Sequence, residues 1–256
     1  MKQNKALLIY LSGALGQIVI TSLIVCAFRH AGKIMDYSTL PGIIAIAVGG
    51  ISSALWGTIL SIKYKNITFK RVISDFFKIR QSYKNYLLML GFLGLDFAAV
   101  LFGGGFIIKT LYLPFLLFIK AVAFGGFEEI GWRYFFQPLL QERIKYVFAT
   151  IITFATWAIW HFLYFYIDGT LAVMNLNQSF QFLAGLLVNS FILSALYTKT
   201  KNLWLCVMTH SLINVFSQLT AGENLYVSYI CKAIIIAAAI AVVHNQASPE
   251  SDSRKA

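Results

Sequence analysis

The chain alternates long apolar runs with short polar links, and this pattern restricts its fold more than any motif does. About 20 apolar residues cross a bilayer as a helix. About eight stretches qualify: roughly 6–28, 40–62, 86–108, 111–136, 146–166, 180–198, 203–221 and 225–243. Lipid offers no partner to an unpaired peptide group, so a spanning segment must be a helix or part of a closed barrel. Barrel strands read as short alternating segments, and the sequence has none. The expected fold is all-α: a polytopic transmembrane bundle of about eight spans, one domain over 1–243, with a polar, disordered tail over 244–256. Only Lys109 and Thr110 separate the third and fourth runs, which predicts a tight hairpin there.

Composition agrees. Charged residues make up 12% of the chain and hydrophobic ones 59%, whereas a soluble domain carries roughly 25% charged residues. The formal net charge of +11 is explained by where the cations lie rather than by nucleic acid. Residues 63–84 hold seven Lys or Arg and one Asp, and the links at 141–145 and 199–202 are basic. Residues 167–179 and 222–224 have no Lys or Arg. Basic links alternating with bare ones follow the positive-inside rule and put both termini in the cytoplasm. Arg29 and Lys33 break the pattern. The 63–84 segment also carries Ile67, Phe69, Ile73, Phe76 and Phe77, so it either rests on anionic lipid or serves as a topology signal only. The first run is longer than a signal-peptide core and is expected to be retained, and neither end shows a lipidation signal.

Three cysteines, Cys26, Cys206 and Cys231, fall inside apolar runs, where cysteine acts as a small hydrophobe. Gly103–Gly105 follows no predicted strand and precedes no Lys-Ser/Thr pair. It is expected to serve packing or flexibility rather than a phosphate.

Charged residues inside spans are rare and mark function. The stretch FEEIGWRYF, 127–135, has three of them. Residues four apart share a helix face, so Glu129 and Arg133 are expected to pair. Glu128 points elsewhere without a full counter-charge, as suits a carboxylate that exchanges a proton near neutral pH. A plain ion-pair network locking two helices is the alternative. In TWAIWHFLYF, 156–165, Trp157 and His161 share a face. In THSLINVF, 209–216, His210 and Asn214 do. Each pair alone fits a satisfied core residue or interhelical hydrogen bonding. Together, two acids, two histidines and an amide on separate helices suit water activation at a carbonyl. The acid takes a proton from water, a histidine orients it, and His and Asn donate to the oxyanion. Glu128, His161 and His210 equally suit a three-ligand catalytic zinc site. A Cys206–His210 nucleophile is less suited, because one helix seldom allows in-line attack.

E-E-x-x-x-R at 128–133, aromatic-x-x-x-H at 157–161 and H-x-x-x-N at 210–214, in this order, resemble the CAAX protease and bacteriocin-processing family (CPBP, or Abi). These are polytopic intramembrane endopeptidases, and the resemblance covers residues 128–214. It implies that Glu128 activates water, that Glu129 and Arg133 support it, and that His161, His210 and Asn214 complete the catalytic set. It implies a membrane-associated peptide or protein substrate, the lipid bilayer as a partner, and residence in a bacterial cell membrane; the placement of the charges excludes nucleic acid. A divalent metal such as zinc remains open, as do CAAX-type and bacteriocin processing. The sequence departs from the family at Trp157, where Phe is usual.

A non-catalytic bacteriocin-immunity or peptide-binding protein is the alternative. A proton relay is a third reading, disfavoured because paired broken helices are not evident. Straight helices put His161 about 22 Å from the inner end of its run and His210 about 10 Å, so a shared site demands tilt or shifted ends. Asp96 and Lys120 are expected at similar depth as an ion pair clamping the hairpin, with Asp96 in the catalytic cavity as the alternative. Lys232 is expected to snorkel outward.

Overall fold

The first apolar run folds as one helix, α1 (Lys2–His30). Thr39 caps the next by accepting from Gly42 N, with Pro41 in its first turn. That helix runs as α2 (Leu40–Gly50) and α3 (Ser52–Lys65), bent by 41° at the break. The computed structural model describes residues 2–244 in this way, so the expected tail lies, His244 apart, outside the described residues.

A short helix, α4 (Phe69–Phe76), crosses the basic segment. It is followed by α5 (Tyr83–Asp96) and one turn, α6 (Ala98–Leu101). The rod from α7 (Leu113–Ala121) to α9 (Gln137–Gln141) is continuous. It contains two π-helical stretches, Val122–Gly126 and Ile130–Phe136, on either side of α8 (Phe127–Glu129). Then come α10 (Tyr146–Asp168), the turn α11 (Thr170–Val173), α12 (Leu176–Thr200), α13 (Leu203–Leu219) and α14 (Leu225–His244). Asn175 and Gln178 form a capping box at the start of α12, and Asn202 accepts from Leu205 N to start α13.

The fold is an all-helical membrane bundle, with fewer full-length spans than the apolar runs suggest. Among the described residues, four helices are long and apolar enough to cross a bilayer (Asn4–His30, α10, α12 and α14), and the bent α2–α3 pair makes a fifth. The apolar windows of the four single helices are 22% to 50% buried, so half or more of each faces outward. On a soluble protein such a face would be an interaction patch; here it meets lipid.

The run at 86–108 does not form one span, and its link to α7 is not a tight hairpin. Helix ends at Asp96 and again at Leu101. The chain then pairs β1 (Gly105–Phe106) with β2 (Thr220–Gly222), antiparallel. The glycines permit this. A side chain at Gly103 would meet Glu223 backbone at 2.6 Å, and Gly105 adopts φ +71°. Gly104 N donates to Gly222 O. The Asp96–Lys120 ion pair therefore does not form. Lys120 is exposed, and Asp96 lies across from Lys232.

Arg29 breaks the charge rule for a local reason. Its guanidinium donates to Tyr166 O and Ile167 O, the free carbonyls at the end of α10, and to Met35 O. A cation at a helix C-terminus contributes about 0.3–1 kcal/mol. The basic segment likewise packs on protein as well as facing outward. Val72 and Phe76 are fully buried, Tyr134 Oη donates to Asp75 Oδ2 at 2.8 Å, and Asn202 donates to Lys78 O. Residues 69–82 thus lie beneath the start of α13, which begins inside the protein rather than at its surface.

The rod carrying the paired glutamates crosses α3 at very small residues. A Cβ on Gly57 would lie 2.6 Å from Gly131 Cα. Lipid supplies no hydrophobic drive between helices, so such close backbone approach is what holds a crossing together.

Candidate active site

Glu128 and Glu129 sit where the rod changes its winding, between the two π-helical stretches. Such stretches recur at functional sites because the wider turn re-aims side chains. Glu129 and Arg133 are fully buried and Glu128 is 7% exposed. Arg133 Nη1 meets Glu129 Oε1 at 3.4 Å, the pair expected from their spacing. Buried charges need partners beyond each other. Arg133 Nη2 reaches Ser190 Oγ at 3.5 Å, and its guanidinium carbon lies 4.1 Å from the centre of the Trp157 ring.

His210 Nδ1 is 2.7 Å from Glu129 Oε1. A carboxylate accepts, so Nδ1 carries the proton and Nε2 is the free ring atom. A Cβ on Gly125 would sit 3.0 Å from His210 Nε2 and 2.5 Å from Asn214 Nδ2. The π-helical turn at Gly125 thus packs directly on the two polar ends of α13. His161 Nδ1 donates to Trp157 O at 3.0 Å, which leaves its Nε2 free.

Trp157 joins these groups. Its Nε1–H donates to Glu128 Oε2 at 2.7 Å. Its ring is 5.1 Å from that of His161 and 5.3 Å from that of His210, edge to face in both cases. The acid and both histidines, from three elements, therefore surround one indole. The depth mismatch between His161 and His210 is absorbed by the sunken start of α13.

A cavity of about 460 Å³ opens beside them. Glu128, His161 and Asn214 line it, with Phe124, Phe165 and Phe182 among its apolar walls. Asp96 lines a different cavity, so it is no part of this one. Asp96 and Lys232 on that second cavity also correct the expected outward course of Lys232.

His210 Nδ1 faces Glu129 and His161 Nδ1 a backbone carbonyl, and each ring keeps Nε2 free, as metal-bound histidines also do. Among the described residues no group of three His, Cys, Asp or Glu is arranged to hold a metal ion. The Cys206–His210 alternative also fails to form, since Cys206 Sγ faces Leu193 O and Asn202 O.

Two contacts were not legible beforehand. The bond of Trp157 to Glu128 and that of Glu129 to His210 each cross between helices, beyond any i, i+4 rule. The supporting bonds from Tyr10 to Ser53 at 3.1 Å, and from Ser53 to Glu128 O at 3.2 Å, lie on residues with no distinctive spacing.

Residues 107–216 match the family model described as Type II CAAX prenyl endopeptidase Rce1-like, and all three motifs fall within that stretch. Over this stretch the chain is similar to CAAX prenyl endopeptidases, in keeping with the resemblance its three motifs carry. A curated relative, CAAX prenyl protease 2 of Methanococcus maripaludis, is 30% identical over 125 residues, 47% of this chain. The aligned part spans 45% of that relative, so the chain matches about half the length of the curated protein. Glu128, His161 and His210, which meet around Trp157, all fall within the matched stretch.

Proposed function

We propose that the protein is an intramembrane endopeptidase in which Glu128 activates water for attack on a peptide carbonyl. The observation that carries this reading is the buried Glu128 carboxylate, fixed by Trp157 on the wall of a cavity that His161 and Asn214 share.

Glu128 takes a proton from water as the oxygen adds to the carbonyl carbon. His161 Nε2 accepts from the same water and orients it. The carbonyl oxygen becomes an oxyanion, to which Asn214 Nδ2 and His210 Nε2 donate. An imidazolium at His210 has Glu129 as its counter-ion, and Arg133 holds Glu129 in place. Glu128 then passes its proton to the leaving nitrogen as the C–N bond breaks. A donor aimed at the oxyanion is worth about 10²–10³ in kcat, and a positioned base about 10²–10⁴. No step runs through a metal.

The substrate is a membrane-associated peptide or protein. The aromatic cavity supports a chain with an apolar attachment, such as a prenylated CAAX C-terminus, and bacteriocin-type peptides are the second class. We place eight helical passes in the bilayer, with α5–α6, the rod from α7 to α9, and α13 completing the five longer ones. Both termini then lie on the side of the basic links, as the positive-inside rule supports.

The test is Glu128→Gln in purified, reconstituted protein assayed on prenylated and unprenylated peptides. Cleavage is expected to fall at least about 10²-fold at unchanged abundance. Full activity, or full biological effect without cleavage, would overturn the catalytic reading in favour of a peptide-binding protein.

A further inference from the structure

A second cavity, of about 630 Å³, lies between α5, α12, α13 and α14, and the hydrolytic reading does not use it. Its wall carries Asp96, Glu223 and Lys232, with the amides of Gln181 and Asn189 and the hydroxyl of Ser217. Gln181, Gly185 and Asn189 are four apart, so one face of α12 lines it. Lys232 Nζ is steadied by Ser228 Oγ. Charges among spanning helices are costly unless they serve a ligand or a path. Asp96 has no hydrogen-bonding partner among the described side chains.

The cavity sits at the helix ends remote from the basic segment: α5 ends there, α12 and α14 begin there, and β2 closes it. Residues adjoining its lining are apolar and exposed. Phe102 is 69% exposed, Phe180 63% and Tyr226 85%. Tyr226 is of the residue type that anchors at a membrane interface, and the two phenylalanines beside it offer an apolar surface to lipid. A polar pocket with two carboxylates and one ammonium, rimmed by lipid-facing rings, suits a headgroup bearing both a primary ammonium and a phosphate.

We propose that this cavity binds the headgroup of an aminophospholipid. Asp96 and Glu223 receive the ammonium, Lys232 takes the phosphate, and the acyl chains lie over the aromatic rim. A primary ammonium donates three hydrogen bonds, whereas a trimethylated one donates none, so phosphatidylethanolamine is preferred over phosphatidylcholine. The site is independent of cleavage, and its test reads binding alone.

The full chain in detergent is exposed to phosphatidylethanolamine or phosphatidylcholine micelles, and retained lipid is counted by native mass spectrometry. Retention of phosphatidylethanolamine is expected to exceed that of phosphatidylcholine at least tenfold, and to fall at least tenfold in Asp96→Asn and Lys232→Met. Gly185→Leu guards against misfolding. Nothing lies within 4 Å of a Cβ there and Gly185 lines the cavity, so the new side chain starts in open space, and it is expected to abolish retention while elution stays monodisperse. Glu128→Gln is expected to retain the lipid as the native chain does. Equal retention of the two lipids, or undiminished retention in Gly185→Leu, overturns the proposal. Binding of soluble phosphoethanolamine with no retained lipid assigns the site to a free small molecule and overturns it too.

Discussion

Glu129 Oε1 lies 2.7 Å from His210 Nδ1, across 81 residues of sequence, and 3.4 Å from Arg133 Nη1. One carboxylate oxygen thus fixes the imidazole and neutralises the guanidinium. Arg133→Met removes the cation and leaves Glu129 buried with His210 alone. Breaking a buried pair this way costs about 3–5 kcal/mol, expected as a large drop in thermal stability in detergent. Arg133→Lys is expected to rescue little, because an ammonium cannot stack flat on Trp157. A stability equal to the native chain's in both variants would show that the pair bears no load.

Trp157→Phe keeps an aromatic ring but removes the pyrrole half of the indole, with the N–H bonded to Glu128. A hydrogen bond to a charged group is worth about 1.5–3 kcal/mol, so kcat/KM is expected to fall at least about tenfold, with some loss of thermal stability from the smaller buried ring. Undiminished turnover would mean that ring packing alone positions the carboxylate, as the usual Phe of the family implies for its members.

Gly125→Ala places a methyl group 2.5 Å from Asn214 Nδ2 and 3.0 Å from His210 Nε2. Both donors must shift. Misplacing an oxyanion donor by about 1 Å costs about 10²-fold in kcat. The expected result is that loss in kcat with KM little changed and the protein still folded; native kcat would remove Asn214 and His210 from the oxyanion site.

A chelator such as 1,10-phenanthroline is expected to leave cleavage unchanged, since a catalytic zinc needs three protein donors and among the described residues no three His, Cys, Asp or Glu side chains are arranged to hold a metal ion. Loss of activity restored by added zinc would show that the side chains rearrange around a metal.

Hydropathy made the membrane bundle legible, because about 20 apolar residues in a row are a local property that any packing must respect. Spacing made the Glu129–Arg133 pair legible, because positions four apart meet on any helix. The three motifs, in order, supplied the candidate site residues and the family resemblance. Span limits were less legible: Asp96 and Gly103–Gly105 interrupt an apolar run whose average hydropathy hides the break, and α4 covers the start of α13 through residues that read only as a basic link.

What the sequence determined by itself is which segments become lipid-embedded rods and which polar groups they carry, since both follow from neighbours along the chain. The tertiary structure alone decided that Trp157 donates to Glu128, that Glu129 rather than solvent holds His210, that Arg29 closes α10, and that Lys232 faces Asp96. Each of these contacts depends on the crossing angle, depth and winding of separate helices. Those are set by close-packed small residues and wide turns summed over the whole bundle, and no periodicity along one rod records them.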